Sequence, residues 1–276
     1  MPSLIKEISS VRIHTFLSLL LNLPAISYYS PMKKIIALFY ALLLLAPLLI
    51  AQQGDPKLTE IWNPVPPMIL PGNTNYDPPS DAIKLFDGKD LTHWESMNSQ
   101  AVLWTLADQA VTVKPGSGNI QSRERFGDCQ LQIEWRTPAT VNGEGQGRGN
   151  SGIFFRGLYE VQVLDNYGNT TYSNGQAGSI YKQHMPLVNA SRKPGEWQAY
   201  DILFTAPVFY VDGRVKSFAK ITAFHNGVWV QYNAEVWGKT EYIGIAKYEK
   251  HAEKLPLELQ DHGDMVSFRN IWIREL

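Results

Sequence analysis

The chain reads as an all-β protein, a two-sheet β-sandwich, on three observations. After residue 80 no segment holds apolar residues at i, i+3, i+4 and i+7 for long. Short runs of alternating apolar and polar residues recur instead between Gly, Pro and Asn punctuation. An Asn-Gly pair at 226–227 separates two such runs, the dipeptide that a tight type I′ hairpin requires.

The first fifty residues belong to something else. Met32-Lys33-Lys34 followed by Ile35–Ile50 reads as a basic n-region and an apolar h-region, and Leu49-Ile50-Ala51 as an imperfect small-residue cleavage site. The mature chain is expected to begin near Gln52, in the periplasm or outside the cell. A retained anchor is the alternative, since the apolar run approaches the length of a span, but Pro47 and the polar Gln52-Gln53-Gly54-Asp55 favour cleavage. Residues 1–31 precede a methionine that itself looks like a start, so Met32 is the expected true beginning.

From Gln52 to Ser80 the chain is polar and carries Pro64, Pro66, Pro67, Pro71, Pro78 and Pro79, which disfavour helix interior and central strand alike. An extended arm is expected there, ahead of a globular domain over 81–276.

Within the domain each element has its own signature. In Gln130–Arg136, Leu131, Ile133 and Trp135 fall on one face and Gln130, Gln132, Glu134 and Arg136 on the other. Tyr159–Asp165 behaves alike: Val161 and Val163 point one way, Glu160 and Gln162 the other. Lys220–Phe224 and Val228–Tyr232 flank the Asn-Gly turn. The final run, Val266–Leu276, is expected to pair with an early one such as Ile83–Phe86.

Composition narrows the function. The 276 residues are 44% hydrophobic with eight Trp, enough to build a core without metal or disulfide staples. Most of those tryptophans, among them Trp94, Trp104, Trp135, Trp197 and Trp272, are expected in that core. A net charge of −1 gives no basic footprint for nucleic acid. Cys129, the only cysteine, excludes an intrachain disulfide and a Cys-rich zinc site and reads as a small strand residue.

Several stretches together resemble the 3-keto-disaccharide hydrolase domain family. They are Leu85-Phe86-Asp87-Gly88-Lys89-Asp90-Leu91 with Trp94, Asn150-Ser151-Gly152-Ile153-Phe154-Phe155-Arg156, Tyr159 to Asp165, Gly178-Ser179-Ile180-Tyr181, Gly195-Glu196-Trp197-Gln198, and Leu259-Gln260-Asp261-His262-Gly263 running into Phe268-Arg269-Asn270-Ile271. The match spans roughly residues 80–276 in the family's order and departs from it at Gln198, where Asn is usual. It implies a concanavalin A-like jelly roll with a sugar pocket on its concave sheet, acting on glycosides already oxidised to a ketone at C3.

Such a ketone acidifies the hydrogen on C2, because the carbanion left behind delocalises as an enolate. A base and a set of donors then suffice to expel the group at C1 by elimination, and water adding back gives net hydrolysis. Ordinary glycosidases instead set two carboxylates across the scissile bond. Glu160, Glu134 and His262 are the candidate bases. Arg156, Arg269, Tyr181, Gln162 and Gln260 are candidate donors to the enolate and the sugar, and Asn150 joins them from its motif. A divalent cation on Glu134, Glu160 and His262 is an alternative stabiliser; with no pair of His at i, i+4, no cofactor is assigned. The same polar alternation is also the ordinary solvated face of an antiparallel sheet. A non-catalytic, lectin-like carbohydrate-binding module and an envelope structural domain therefore stand as the other readings. Oligomeric state is left open.

Overall fold

A computed structural model describes Met32, residues 55–98 and residues 100–276. The apolar leader Ile35–Ile50, the cleavage position at Ala51 and the mature start at Gln52 lie outside the described residues. Among the described residues, no helix is long and apolar enough to cross a membrane.

Two units are distinguished, Met1–Pro67 and Met68–Leu276. In the first, Pro56–Thr59 form one 3-10 turn, capped where the Asp55 carboxylate accepts the Lys57 N–H at 3.1 Å.

The second unit is an antiparallel sandwich of two main sheets, as the strand patterns predict, with the jelly-roll class that the family resemblance implies. The larger sheet runs β13 (Val228–Glu235), β12 (Lys220–His225), β9 (Gln198–Thr205), β6 (Cys129–Arg136), β15 (Ser267–Glu275), β4 (Ala110–Thr112) and β3 (Thr105–Ala107). β1 (Ile83–Phe86) also joins β15, with Ile83 opposite Ile273, so the first and last strands pair as expected. The smaller sheet runs β2 (Trp94–Ser96), β5 (Ile120–Phe126), β14 (Leu255–Leu259), β7 (Ser151–Phe155) and β8 (Tyr159–Val163). A separate ribbon pairs β10 (Val208–Phe209) with β11 (Val215–Ser217).

Alternation decides which side chains meet between the sheets. Leu131, Ile133 and Trp135 of β6 and Tyr200, Ile202 and Phe204 of β9 face Ile153, Phe155, Val161 and Leu259 of the smaller sheet, all 1% exposed or less. Phe155 stacks on Phe204 at 4.7 Å between centroids, and Trp135 leans on Tyr200 at 5.3 Å. Burial of each large side chain contributes about 2–3 kcal/mol against its exposed state. Of the tryptophans singled out, Trp94, Trp104, Trp135 and Trp272 are buried. Trp197 instead is half-buried and meets two guanidinium groups at its ring, Arg269 at 4.1 Å and Arg136 at 4.6 Å. Cys129 is buried, and loss of water pushes its thiol up to about 12.

The Asn-Gly hairpin has the expected form, with φ of 53° at Asn226 and 80° at Gly227 joining His225 to its partner Val228. Asn226 also holds the turn to β9: its side-chain oxygen accepts the Ala199 N–H at 2.9 Å, and its amide donates to Gln198 Oε1 at 2.7 Å.

Between residues 70 and 81 the chain lies on the outside of the larger sheet. The Tyr76 carbonyl accepts from Trp272 Nε1 at 2.8 Å and from Asn270 Nδ2 at 3.0 Å. Asp81 pairs with Arg274 at 2.5 Å. This segment covers the larger sheet's outer face; the smaller sheet's outer face carries the site.

Candidate active site

β7 and β8 form a hairpin with Phe154 opposite Glu160 and Gly152 opposite Gln162. Since Val161 and Val163 are core, Glu160 and Gln162 must project from the outer face. That face continues across the sheet as one cross-strand row: Glu95 opposite Gln121, Gln121 opposite Glu258, Glu258 opposite Phe154, and Phe154 opposite Glu160.

β8 is an edge strand, and the chain blunts it with a loop. Gln162 N–H donates to the Ser179 carbonyl, Gly178 N–H to the Gln162 carbonyl and Tyr181 N–H to the Glu160 carbonyl, at 3.0, 3.0 and 3.2 Å. This pairing sets Tyr181 beside Glu160. On the same strand Glu160 N–H donates to Thr240 Oγ1 at 3.0 Å. From the opposite sheet, the buried Tyr200 hydroxyl donates to the Gln162 carbonyl at 2.8 Å and ties β8 to the core.

Around Glu160 the loops enclose a cavity of about 260 Å³, lined by Asn150, Phe154, Glu160, Gln162, Tyr181, Thr240, Tyr242, Gln260 and His262. The Glu160 carboxyl is 4% exposed, and its burial, reinforced by the negative field of Glu258, raises its pKa to about 8. Glu258 is itself raised by burial, although Asn119 Nδ2 donates to it at 2.5 Å. Two carboxyls in one row, on either side of Phe154, thus both resist ionisation.

Gln162 and Gln260 flank this carboxyl. Gln162 Nε2 donates to Gln146 Oε1 at 2.9 Å; with its amide turned over it donates instead to the Ser151 carbonyl at 2.9 Å and to Glu160 Oε1 at 3.1 Å. Gln260 Oε1 is buried with no partner among the described residues. Both Glu160 Oε1 and Gln260 Oε1 lie within 3.2 Å of where a Gly152 Cβ would stand, so the bare glycine makes the room they occupy.

Aromatic hydroxyls form one wall. Tyr181 and Tyr172 share a hydrogen bond of 2.6 Å, and the Lys182 ammonium lies 4.8 Å from the Tyr172 ring and 5.0 Å from that of Tyr242. Burial, then the bond to Tyr172, holds the Tyr181 phenol far above its ordinary pKa, so it remains a donor. His262 stands exposed at the mouth. Asn150 is anchored at the rim, its backbone N–H donating to Asp264 at 2.8 Å and its amide to the Gln146 carbonyl at 2.7 Å.

Of the residues read from sequence, Glu160, Gln162, Tyr181, Gln260, His262 and Asn150 converge on this cavity. Three do not. Glu134 and Arg269 belong to β6 and β15, on the outer face of the larger sheet, where they form a two-point ion pair at 3.0 and 3.1 Å. Arg156 follows β7 in the turn to β8, with φ of 61°, and its side chain tucks against the Ala252 carbonyl. Alternation identifies a face of a strand but not the sheet that strand joins, which is why Glu134 read like Glu160. For the same reason Glu134, Glu160 and His262 cannot share one cation. Among the described residues no group of three or more His, Cys, Asp or Glu side chains could hold a metal ion.

Sequence reading also missed parts of the site. Glu258 alternates with Gln260 in β14 and its approach, and that alternation was a usable signal. Thr240 and Tyr242 lie in the irregular stretch after β13, where no period marks them.

Fold and cavity together define a β-sandwich with a polar cavity on the outer face of its smaller sheet, beside a carboxyl whose pKa is raised. The chain belongs to the 3-keto-alpha-glucoside-1,2-lyase-like domain family, whose sequence model matches residues 81–274. It is 26% identical over 250 residues to the 3-keto-disaccharide hydrolase of Bacteroides thetaiotaomicron, covering 70% of this chain and 78% of that one. A crystal structure from Parabacteroides distasonis, of a protein provisionally described as a glycosyl hydrolase, is 50% identical with a TM-score of 0.78, covering 80% of this chain and 97% of that one. A second Parabacteroides distasonis structure with the same provisional description is 20% identical with a TM-score of 0.52, over 71% of this chain and 94% of that one; it shares the fold. The family match and the first two of these relatives support a glycosidase-like role.

Proposed function

We propose that the protein is an exported enzyme that cleaves 3-keto-glycosides, with Glu160 as the base that removes the C2 proton. The observation that carries this reading is the position of Glu160: a buried carboxyl raised to about 8 at the floor of a sugar-sized polar cavity. A carboxylate so tuned is a far stronger base than one in water and still ionises near neutral pH.

The remaining residues fit the demands of the reaction. As the C2–H bond breaks, its electron pair delocalises onto the C3 oxygen, and the Tyr181 hydroxyl supplies a proton donor for the enolate. The C1=C2 double bond then forms as the C1–O bond breaks, and the leaving oxygen takes a proton at the mouth, where His262 stands. Water adding back across C1=C2 gives net hydrolysis; release before that step gives the unsaturated ketone. Gln162 and Gln260 hold the carboxyl and the sugar hydroxyls. The basic start at Met32-Lys33-Lys34 and the apolar run after it support action in the periplasm or beyond.

The test is purified protein incubated with an aryl 3-keto-glucoside and with its unoxidised parent, with and without chelator. Release from the keto sugar alone is expected. Release from the parent would mean conventional glycosidase chemistry, and saturable binding of the parent without turnover of either would leave a lectin-like module.

A further inference from the structure

A second cavity, of about 470 Å³, opens at the other end of the β7–β8 hairpin and shares no lining residue with the Glu160 site. Arg156 lines it. Its side chain is 4% exposed, and Nε and Nη1 are buried with no acceptor among the described residues. The third nitrogen, Nη2, meets the Ala252 carbonyl and, at 3.2 Å, His251 Nδ1, neither of them an anion. His251 is in turn committed to the Tyr159 hydroxyl at 2.7 Å. A buried guanidinium with no carboxylate in ion-pair contact is unfavourable.

The carboxylates nearby do not meet that cost. Asp128 spends its Oδ1 on the Ala206 N–H at 2.7 Å, and the ammonium of Lys254 is held by Glu275 at 2.8 Å. Asp128 and Glu253 line the cavity with Arg156, Lys250 and Lys254, so its small net positive charge is one that a monoanion neutralises and a dianion overshoots. The opposite wall is apolar: Pro207, Val208, Phe209 and Val211.

We propose that this cavity binds a small organic monocarboxylate, its carboxylate on Arg156 and its apolar portion against Phe209 and Val208. A carboxylate beside Arg156 supplies the counter-charge that its protein neighbours do not. The apolar wall buries the rest of the ligand, as small-molecule sites of this volume do.

The probe is benzoate, titrated calorimetrically into the full protein, with benzamide as its uncharged isostere and inorganic phosphate as a competing anion. One saturable benzoate site is expected, with no binding of benzamide and no displacement by phosphate. Arg156→Met should weaken it by about tenfold or more, roughly the worth of one charge-assisted contact. Should that variant fail to fold, Val208→Asp serves instead: Val208 is half exposed, and a new carboxylate on the wall should weaken benzoate by a similar factor with an unchanged circular dichroism spectrum. Glu160→Gln should leave benzoate binding unaltered. Absence of saturable binding at millimolar benzoate, equal binding of benzamide, displacement by phosphate, or loss of binding in Glu160→Gln would each overturn the proposal.

Discussion

Gly152 and Glu160 compete for one volume across the β7–β8 ladder: a Cβ on Gly152 would stand 2.7 Å from Glu160 Oε1. The absent side chain at 152 is therefore what lets a carboxyl lie flat on the outer face of the sheet.

Gly152→Ala follows directly. The backbone at 152 is ordinary strand, and the atoms a methyl would meet are the ends of the Glu160, Phe154 and Gln260 side chains, so the fold should survive. The carboxyl would have to move, and a displacement of about 1 Å can cost on the order of a hundredfold in rate. Activity on the keto-glycoside should fall by that order with an unchanged circular dichroism spectrum; a variant of wild-type activity would remove Glu160 from the reaction.

Glu160 ties stability and activity to one titration with opposite signs. Its folded pKa, about 8, lies above the ordinary 4.5, so between these values the folded state holds a proton that the unfolded chain has lost. Stability from this group is complete below pH 4.5 and falls as pH rises toward 8. A tenfold change in proton affinity is worth about 1.4 kcal/mol, so Glu160→Gln should raise stability at pH 9 by a few kcal/mol and have little effect at pH 4. Urea titration at both values checks this. The activity of the wild type should move the other way, kcat/KM rising with pH and levelling above about 8 as the base ionises.

Tyr181→Phe removes one hydroxyl from the wall and leaves the ring. A lost donor to a developing oxyanion costs about a hundredfold to a thousandfold in kcat. That loss, with KM little changed, is the expected result; a change in KM alone would make Tyr181 a substrate contact and no more.

Glu134→Gln separates residues that looked equivalent in the sequence. Breaking its two-point contact with Arg269 should cost about 1 kcal/mol, the scale of a partly exposed pair, and leave turnover intact. A large loss of activity with unchanged stability would contradict a purely structural pair.

What the sequence disclosed and what it hid differ for physical reasons. Period-two alternation over 159–163 and 130–136, and the Asn-Gly turn, are local properties, so strands, faces and the hairpin at 226–227 were legible. The pairing of β6 with β9 and β15 is a long-range property, and it alone determines that Glu134 faces away from Glu160. Arg156 sits one residue beyond β7, in a turn whose positive φ of 61° no periodicity marks. The wall from Thr240 and Tyr242 comes from irregular chain that reaches β8 through one hydroxyl contact, at Thr240, which leaves no periodic trace.

The most direct measurement follows the C2 position by NMR during cleavage of a 3-keto-glycoside in deuterated water, at times too early for the free ketone to exchange unaided. Removal of the C2 proton by Glu160 predicts deuterium at C2 of the hydrated product, or an unsaturated ketone lacking that hydrogen, and neither product from Glu160→Gln. Rapid release of a sugar that retains its original C2 hydrogen would contradict the account.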